Sequence, residues 1–276
     1  MNKKEFLIGL VLIFFACNSD KKQASAYLEN AQKLYGQGEY VSAKNNIDSI
    51  KILFPKEFGI RKKGMQLRRK IEIKEQERNM IFCDSLLQVR MADAETMKSG
   101  FVFEKDSSYD DLGKYTDKSQ LVEAKLQTSC IRTQVNESGE LLFSGVYYGN
   151  PPIHHSRLKV SKSNGDFAET ESVPYDGGLN YSFVDGGVTT EVVTYTQGKD
   201  AGVIQFIYQN KDSTLKAELF GTGKYTFTIS PADKKALVKT FDFAVILSDI
   251  DRLKKEKEKS SQRLKYLQGK ATLEVF

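Results

Sequence analysis

The spacing of apolar positions changes twice along the chain, and the changes divide it into three parts. From Gln23 to Lys98 apolar residues recur at steps of three and four, the period of a helix with one buried face. Within this part Ile73, Gln76, Met80, Cys83, Leu87 and Met91 form a heptad-like seam with a polar interruption at Gln76. Near Gly100 the period drops to two. Leu215, Ala217 and Leu219 alternate with Lys216 and Glu218, and Tyr225, Phe227 and Ile229 alternate with Lys224, Thr226 and Thr228. Further strands are predicted at 101–104, 128–135, 141–148, 157–161, 181–184 and 188–195, and Ile204, Phe206 and Tyr208 suggest another. The stretch 109–120 reads as a polar loop. Ser163-Asn164-Gly165-Asp166, Asp185-Gly186-Gly187 and Gly221-Thr222-Gly223 supply the positive-φ residues that hairpin turns need. After Ser230-Pro231, an N-cap followed by proline at the first helical position, the helical period resumes. Its seam is Ile246, Ile250, Leu253, Lys257, Ser260, Leu264 and Leu267, with two polar members in the middle.

These patterns predict an α+β chain. A helical hairpin and a long helix (24–99) precede an antiparallel β-rich head (100–230), either a sandwich or a curled meander. A long C-terminal helix (231–276) follows. An amphipathic helix of that length needs a partner for its apolar stripe. The long helix before the head is the expected partner, giving an antiparallel stalk that resembles a coiled coil; the alternative is the same helix in a second copy, giving a homodimer.

The chain opens with Lys3 and Lys4, an apolar run over residues 6–16, and then the polar stretch Asn18-Ser19-Asp20-Lys21-Lys22-Gln23. The run is too short to span a bilayer, which takes roughly 20 apolar residues, and its layout is that of a secretory signal covering 1–16. Phe14-Phe15-Ala16-Cys17 resembles the lipobox of bacterial lipoproteins, although leucine rather than phenylalanine is usual three residues before the cysteine. The resemblance implies lipidation of Cys17, cleavage before it, and a linker over 17–23. It also implies a bacterial envelope protein held to a membrane by its acyl chains. With Asp20 at the third position after the cysteine, that membrane is expected to be the outer one. Both chain ends would then lie near the membrane and the β-rich head would be distal.

Tyr27, Ala31, Leu34, Gly38, Tyr40, Ala43, Ile47, Ile50 and Pro55 fall where a tetratricopeptide repeat places its large, small and turn residues. The stretch 24–55 is similar to one such repeat, with Gly38 ending its first helix and Pro55 closing its second. No second copy follows, and a lone repeat offers little concave surface, so the expectation is a hairpin packed on the rest of the chain.

Composition adds bounds. Hydrophobic residues at 40% and charged residues at 28% are globular values, and a net charge of +5 does not imply nucleic acid. Between Lys51 and Arg78 there are ten Lys/Arg and four acids, a solvated helix face or a contact for lipid phosphates. Cys83 and Cys130 could pair in an oxidising compartment, although Cys83 sits on the apolar seam, where a buried thiol is common.

No nucleophile elbow, phosphate-binding glycine loop or metal-ligand spacing is present. The two Asp-Gly-Gly elements at 176–178 and 185–187 read as turns. His154 and His155 are the only histidines, and adjacent side chains on an extended chain point to opposite faces. The expected arrangement is a loop rim with at most one ring facing the core. No metal or cofactor is expected. Tyr147, Tyr148, His154 and His155, beside the Asn150-Pro151-Pro152 loop, form the candidate binding surface. The leading expectation is a non-enzymatic, membrane-anchored lipoprotein whose head contacts a protein partner in the envelope. A head that binds glycan or peptide is the alternative, and an uncharacterised enzyme a third. The absence of tryptophan counts against glycan.

Overall fold

The computed structural model describes residues 3–106, 108 and 111–273, with the side chains of residues 3–18 and 273 excluded. It divides into two compact units. One, the helical unit, holds residues up to 85 and from 255 onward; the other, the sheet unit, holds residues 86–254.

In the helical unit, α1 (Lys3–Gly36) and α2 (Tyr40–Leu53) form the expected hairpin, followed by α3 (Phe58–Lys98). Gly38, at φ +80°, makes the turn, and the Glu39 amide donates to the Leu34 carbonyl, capping the end of α1. Small residues let the helices close up: Ala24, Ala31 and Ala43 are fully buried with Leu28, Ile47, Ile50 and Phe54. Pro55 follows the last turn of α2, as expected. Helix α1 runs unbroken through residues 17–23, where a linker was expected. Cys17 itself lies among the side chains outside the described residues. Among the described residues no helix is long and apolar enough to cross a membrane.

The C-terminal helix α5 (Pro231–Leu273) packs against α3. Within the helical unit the two are joined by Glu72–Arg263 at 2.8 Å, Asn79–Ser260 at 2.8 Å and the ion pair Asp84–Lys257, an antiparallel register. The polar interruption of the C-terminal seam is thus a matched pair: Ser260 is buried and accepts from Asn79 Nδ2. A polar pair inside an apolar seam fixes register at some expense of stability. A double-mutant cycle on Asn79→Leu and Ser260→Ala is expected to give a coupling of about 1 kcal/mol by thermal melts. Strictly additive losses would remove this bond from the account.

The α3 seam departs from expectation at its end. Cys83 and Leu87 are buried, but Met91 is exposed and Ala94 takes the next buried position. The step after Leu87 is three residues, to Arg90, whose Nε lies 3.1 Å from Asp249 on α5 in the sheet unit. On α5, Ile250, Leu253, Ser260 and Leu267 are buried as expected.

The sheet unit contains two antiparallel sheets. The six-stranded sheet has the order β1-β2-β3-β4-β8-β7, with β1 Phe101–Glu104, β2 Lys114–Asp117, β3 Cys130–Asn136, β4 Leu141–Gly149, β7 Asn180–Asp185 and β8 Val188–Tyr195. The four-stranded sheet has the order β10-β9-β5-β6, with β5 Arg157–Ser161, β6 Phe167–Glu169, β9 Lys216–Phe220 and β10 Lys224–Thr228. One core joins them: Ile131, Phe143, Tyr147, Val193 and Tyr195 from the first sheet meet Leu158, Val160, Ala217 and Leu219 from the second. Gly145 allows a close approach of the layers; a Cβ there would sit 2.9 Å from Leu219 and 3.0 Å from Leu158.

Three stretches differ from the sequence reading, the first being β6, which no predicted strand covers. Ile204, Phe206 and Tyr208 lie in a helix, α4 (Val203–Gln209), rather than a strand. Val203, Ile204 and Ile207 are its buried stripe, and Gly202 at φ +85° starts it. Residues 114–117, expected within a loop, form β2. There the Tyr115 ring packs tilted on Phe103 at 4.7 Å and edge-on to Phe243 at 5.1 Å, while Asp117 pairs with Lys239 at 2.9 Å. Cys83 and Cys130 are both buried, and neither forms a disulfide.

Candidate binding groove

The loop carrying the expected surface is built inward. On β4, Phe143, Gly145 and Tyr147 face the core, so Tyr147 is buried and its hydroxyl donates to the Pro151 carbonyl at 2.8 Å. The Asn150–Pro151 peptide is cis. His155 is buried as well. Its Nδ1 lies 2.8 Å from Glu191 Oε2 and its Nε2 3.2 Å from the Gly145 carbonyl. Glu191 also accepts the backbone amides of Ile153 and His154 on Oε1 and of His155 on Oε2, at 2.8–2.9 Å.

Burial alone would push the Glu191 carboxyl up. The hydrogen bonds from His155 and the loop amides outweigh burial and bring it down to about 2. Each acceptor site is filled, and each ring nitrogen faces an oxygen. The His155–Glu191 pair is a clasp that holds the loop, with no open position for substrate.

The expected surface of Tyr147, Tyr148, His154 and His155 is therefore not one surface. Tyr147 and His155 belong to the interior because β4 alternation and the Glu191 clasp turn them inward. His154 is exposed at φ +48°. Tyr148 alone joins the feature that the other face of the six-stranded sheet presents.

That feature is a groove of about 380 Å³. Strand register lays out its floor. Cys130, Val146, Val192 and Tyr181 form one row across β3, β4, β8 and β7; Tyr148, Thr190 and Phe183 form the next; Val188 and Asp185 lie beyond. On the other side of the first row, Arg132 stands opposite Ser144. Cys130, Val146 and Val192 are buried as a small apolar cluster with Tyr181 packed on it. One wall is the segment after β2, which contributes Val122, Lys125, Leu126, Gln127 and Thr128.

This wall is tied down from below. Gln120 Nε2 donates to Asp233 Oδ1 at 2.8 Å, and Gln120 Oε1 accepts the Thr133 amide at 2.9 Å. Lys125 pairs with the same Asp233 at 2.6 Å. Asp233 sits in the first turn of α5, where Ser230 Oγ accepts its amide, so the cap and the wall share one carboxylate. The apolar side chains of the wall are left outward: Val122 is 55% and Leu126 64% exposed, facing a floor whose Phe183 is 51% exposed.

The thiol under the groove floor is not activated. Burial, with the Asp233 carboxylate nearby, pushes the Cys130 thiol up to about 11 against the opposing charges of Arg132 and Lys125. Among the described residues, no group of three or more His, Cys, Asp or Glu is placed to hold a metal. The Asp-Gly-Gly elements are turns: Asp176 accepts the amides of Gly178 and Asn180, and Gly186 and Gly187 both have positive φ. The sequence reading missed the groove, apart from Tyr148. Its lining comes from four strands and one wall that no single stretch reveals, although Tyr181 and Phe183 sit at alternate positions of one strand. No protein-family model, curated protein or solved structure matches the chain.

Proposed function

We propose that this chain is a lipid-anchored bacterial envelope protein that binds another protein through the outer face of its six-stranded sheet, without catalysis. The observation that carries this reading is the groove: contiguous exposed apolar and aromatic side chains over a packed floor, held by a wall fixed through Asp233. On the opposite, core-facing side of the sheet, the buried His155–Glu191 pair is spent on holding its loop. The anchor rests on the lipobox-like Phe14-Phe15-Ala16-Cys17 and the short apolar run before it.

Photo-crosslinking in intact membranes tests the partner. A benzoylphenylalanine in place of Phe183, on the groove, is expected to give protease-sensitive adducts of defined mass. The same group in place of Phe167, exposed on the four-stranded sheet, is expected to give none of them. Equal adducts from both positions, or adducts resistant to protease and cleaved by periodate, would overturn the reading; the latter would favour glycan.

Cys17→Ala tests the anchor separately. Two or more acyl chains hold stably because each buried methylene contributes ~0.8 kcal/mol. The variant is therefore expected to move from the membrane to the soluble fraction, and its retention on the membrane would refute lipidation as the anchor.

A further inference from the structure

One group in the groove is left over. Arg132 Nε is buried and has no hydrogen-bond partner among the described residues, and no carboxylate there pairs with its guanidinium. Its basic neighbour Lys125 is already neutralised by Asp233. A buried donor without a partner is costly, more so when charged, and the great majority of such groups in folded proteins are satisfied. Arg132 lines the groove, next to the row of Cys130, Val146, Val192 and Tyr181, so an anion that entered there would meet it.

We propose that the groove takes an extended peptide segment of the partner in which an acidic side chain pairs with Arg132 and large apolar side chains cover the Val146–Val192–Tyr181 row. This rests on the protein-binding reading above and names the chemistry of its ligand.

Register sets the size. From Arg132 on β3 to Phe183 on β7 the sheet is crossed by three strand spacings of ~4.8 Å and two steps of ~6.7 Å along the strands, a diagonal of about 20 Å. An extended segment of about six residues covers that span at ~3.3 Å each. The far end is charged the opposite way. Asp185 stands there with no basic residue in the lining beside it, so a ligand acidic at both ends is disfavoured. Guanidinium pairs with carboxylate in a two-pronged geometry that a neutral amide cannot match. The apolar floor supplies affinity but little direction, and Arg132 fixes which way the segment lies.

Selection of random heptapeptides displayed on phage, against the full chain in nanodiscs, tests this. Wild type is expected to enrich Asp or Glu at a fixed spacing from an aromatic or branched residue. Arg132→Met is expected to keep the apolar preference and lose the acidic one, with at least a tenfold weaker affinity for the selected wild-type peptides. Arg132→Glu is expected to enrich Lys or Arg at that position, and an unchanged melting temperature shows that each variant is folded. Apolar enrichment without acids, or acids retained in Arg132→Met, overturns the anion site and leaves the protein-binding reading standing. No enrichment with wild type, together with no adducts at position 183, overturns both.

Discussion

Glu191→Ala is expected to lower the stability of the sheet unit by about 4–5 kcal/mol, among the largest effects of any single substitution in the chain. The carboxylate accepts four hydrogen bonds, three from backbone amides and one from the His155 ring, and it is itself almost fully buried. Alanine leaves the Ile153 and His155 amides and the ring nitrogen buried without an acceptor, and the loop 149–155 loses what holds it. Thermal unfolding should show a drop of roughly 10 °C or more.

The acid limb of the stability curve offers a second readout. Because the folded carboxyl is depressed from 4.5 to about 2, its contribution is complete above the ordinary carboxylate range and is lost as pH falls from about 4.5 toward 2. That shift corresponds to ~3 kcal/mol. The gap in stability between wild type and Glu191→Gln should therefore be constant near neutrality and close below pH ~4. A gap that persists unchanged at the acid end would show that Glu191 acts as a neutral hydrogen-bonding group.

Gly139→Ala is expected to be nearly as damaging, by about 3–4 kcal/mol, from two separate causes. Gly139 is at φ +86° in the turn between β3 and β4, where an L-residue is strained. A Cβ there would also stand 2.4 Å from the Ser248 amide nitrogen and 2.6 Å from the Ala244 carbonyl oxygen, both backbone atoms of α5. Backbone cannot rotate aside as a side chain can, so the hairpin must lift from the helix. Gly165, also at positive φ but with open space around it, isolates the first cause: Gly165→Ala should cost only about 1–2 kcal/mol. Equal effects at the two positions would mean that the approach of the turn to α5 contributes nothing.

The β-strands most legible in the sequence are those with one apolar face, such as β5 and β9, because alternation and burial coincide there. β2 was hidden because its inward positions are Tyr115 and Asp117, one of them charged and satisfied partly by Ser119 beside it and partly by Lys239, far along the chain. α4 was misread because a seven-residue helix with apolar residues at 203, 204, 206, 207 and 208 fits both periods, and Gly202 was the one cue to a helix start. In the C-terminal helix the polar seam position Ser260 was legible, but its partner Asn79 was not. Asn79 lies on the opposite helix at a register that only packing sets.

The candidate site was less legible than the fold. Tyr147-Tyr148 and His154-His155 stand out in the sequence as adjacent pairs, yet in each pair one member turns inward. Glu191, which decides where the loop goes, lies in a strand whose pattern gives no hint of it. Arg132 likewise reads as an ordinary outward residue of β3. That its Nε is buried without a partner becomes visible only in the folded sheet, where Arg132 lines the groove together with residues 122–128.

The most direct test of the groove as the binding surface is a methyl NMR titration of the valine-labelled chain with a peptide selected against it. Shifts are expected at Val146, Val188 and Val192, which line the groove, while Val160 and Val173 in the core between the sheets stay in place. Shifts confined to valines away from the groove, with Val146, Val188 and Val192 unmoved, would contradict binding in the groove.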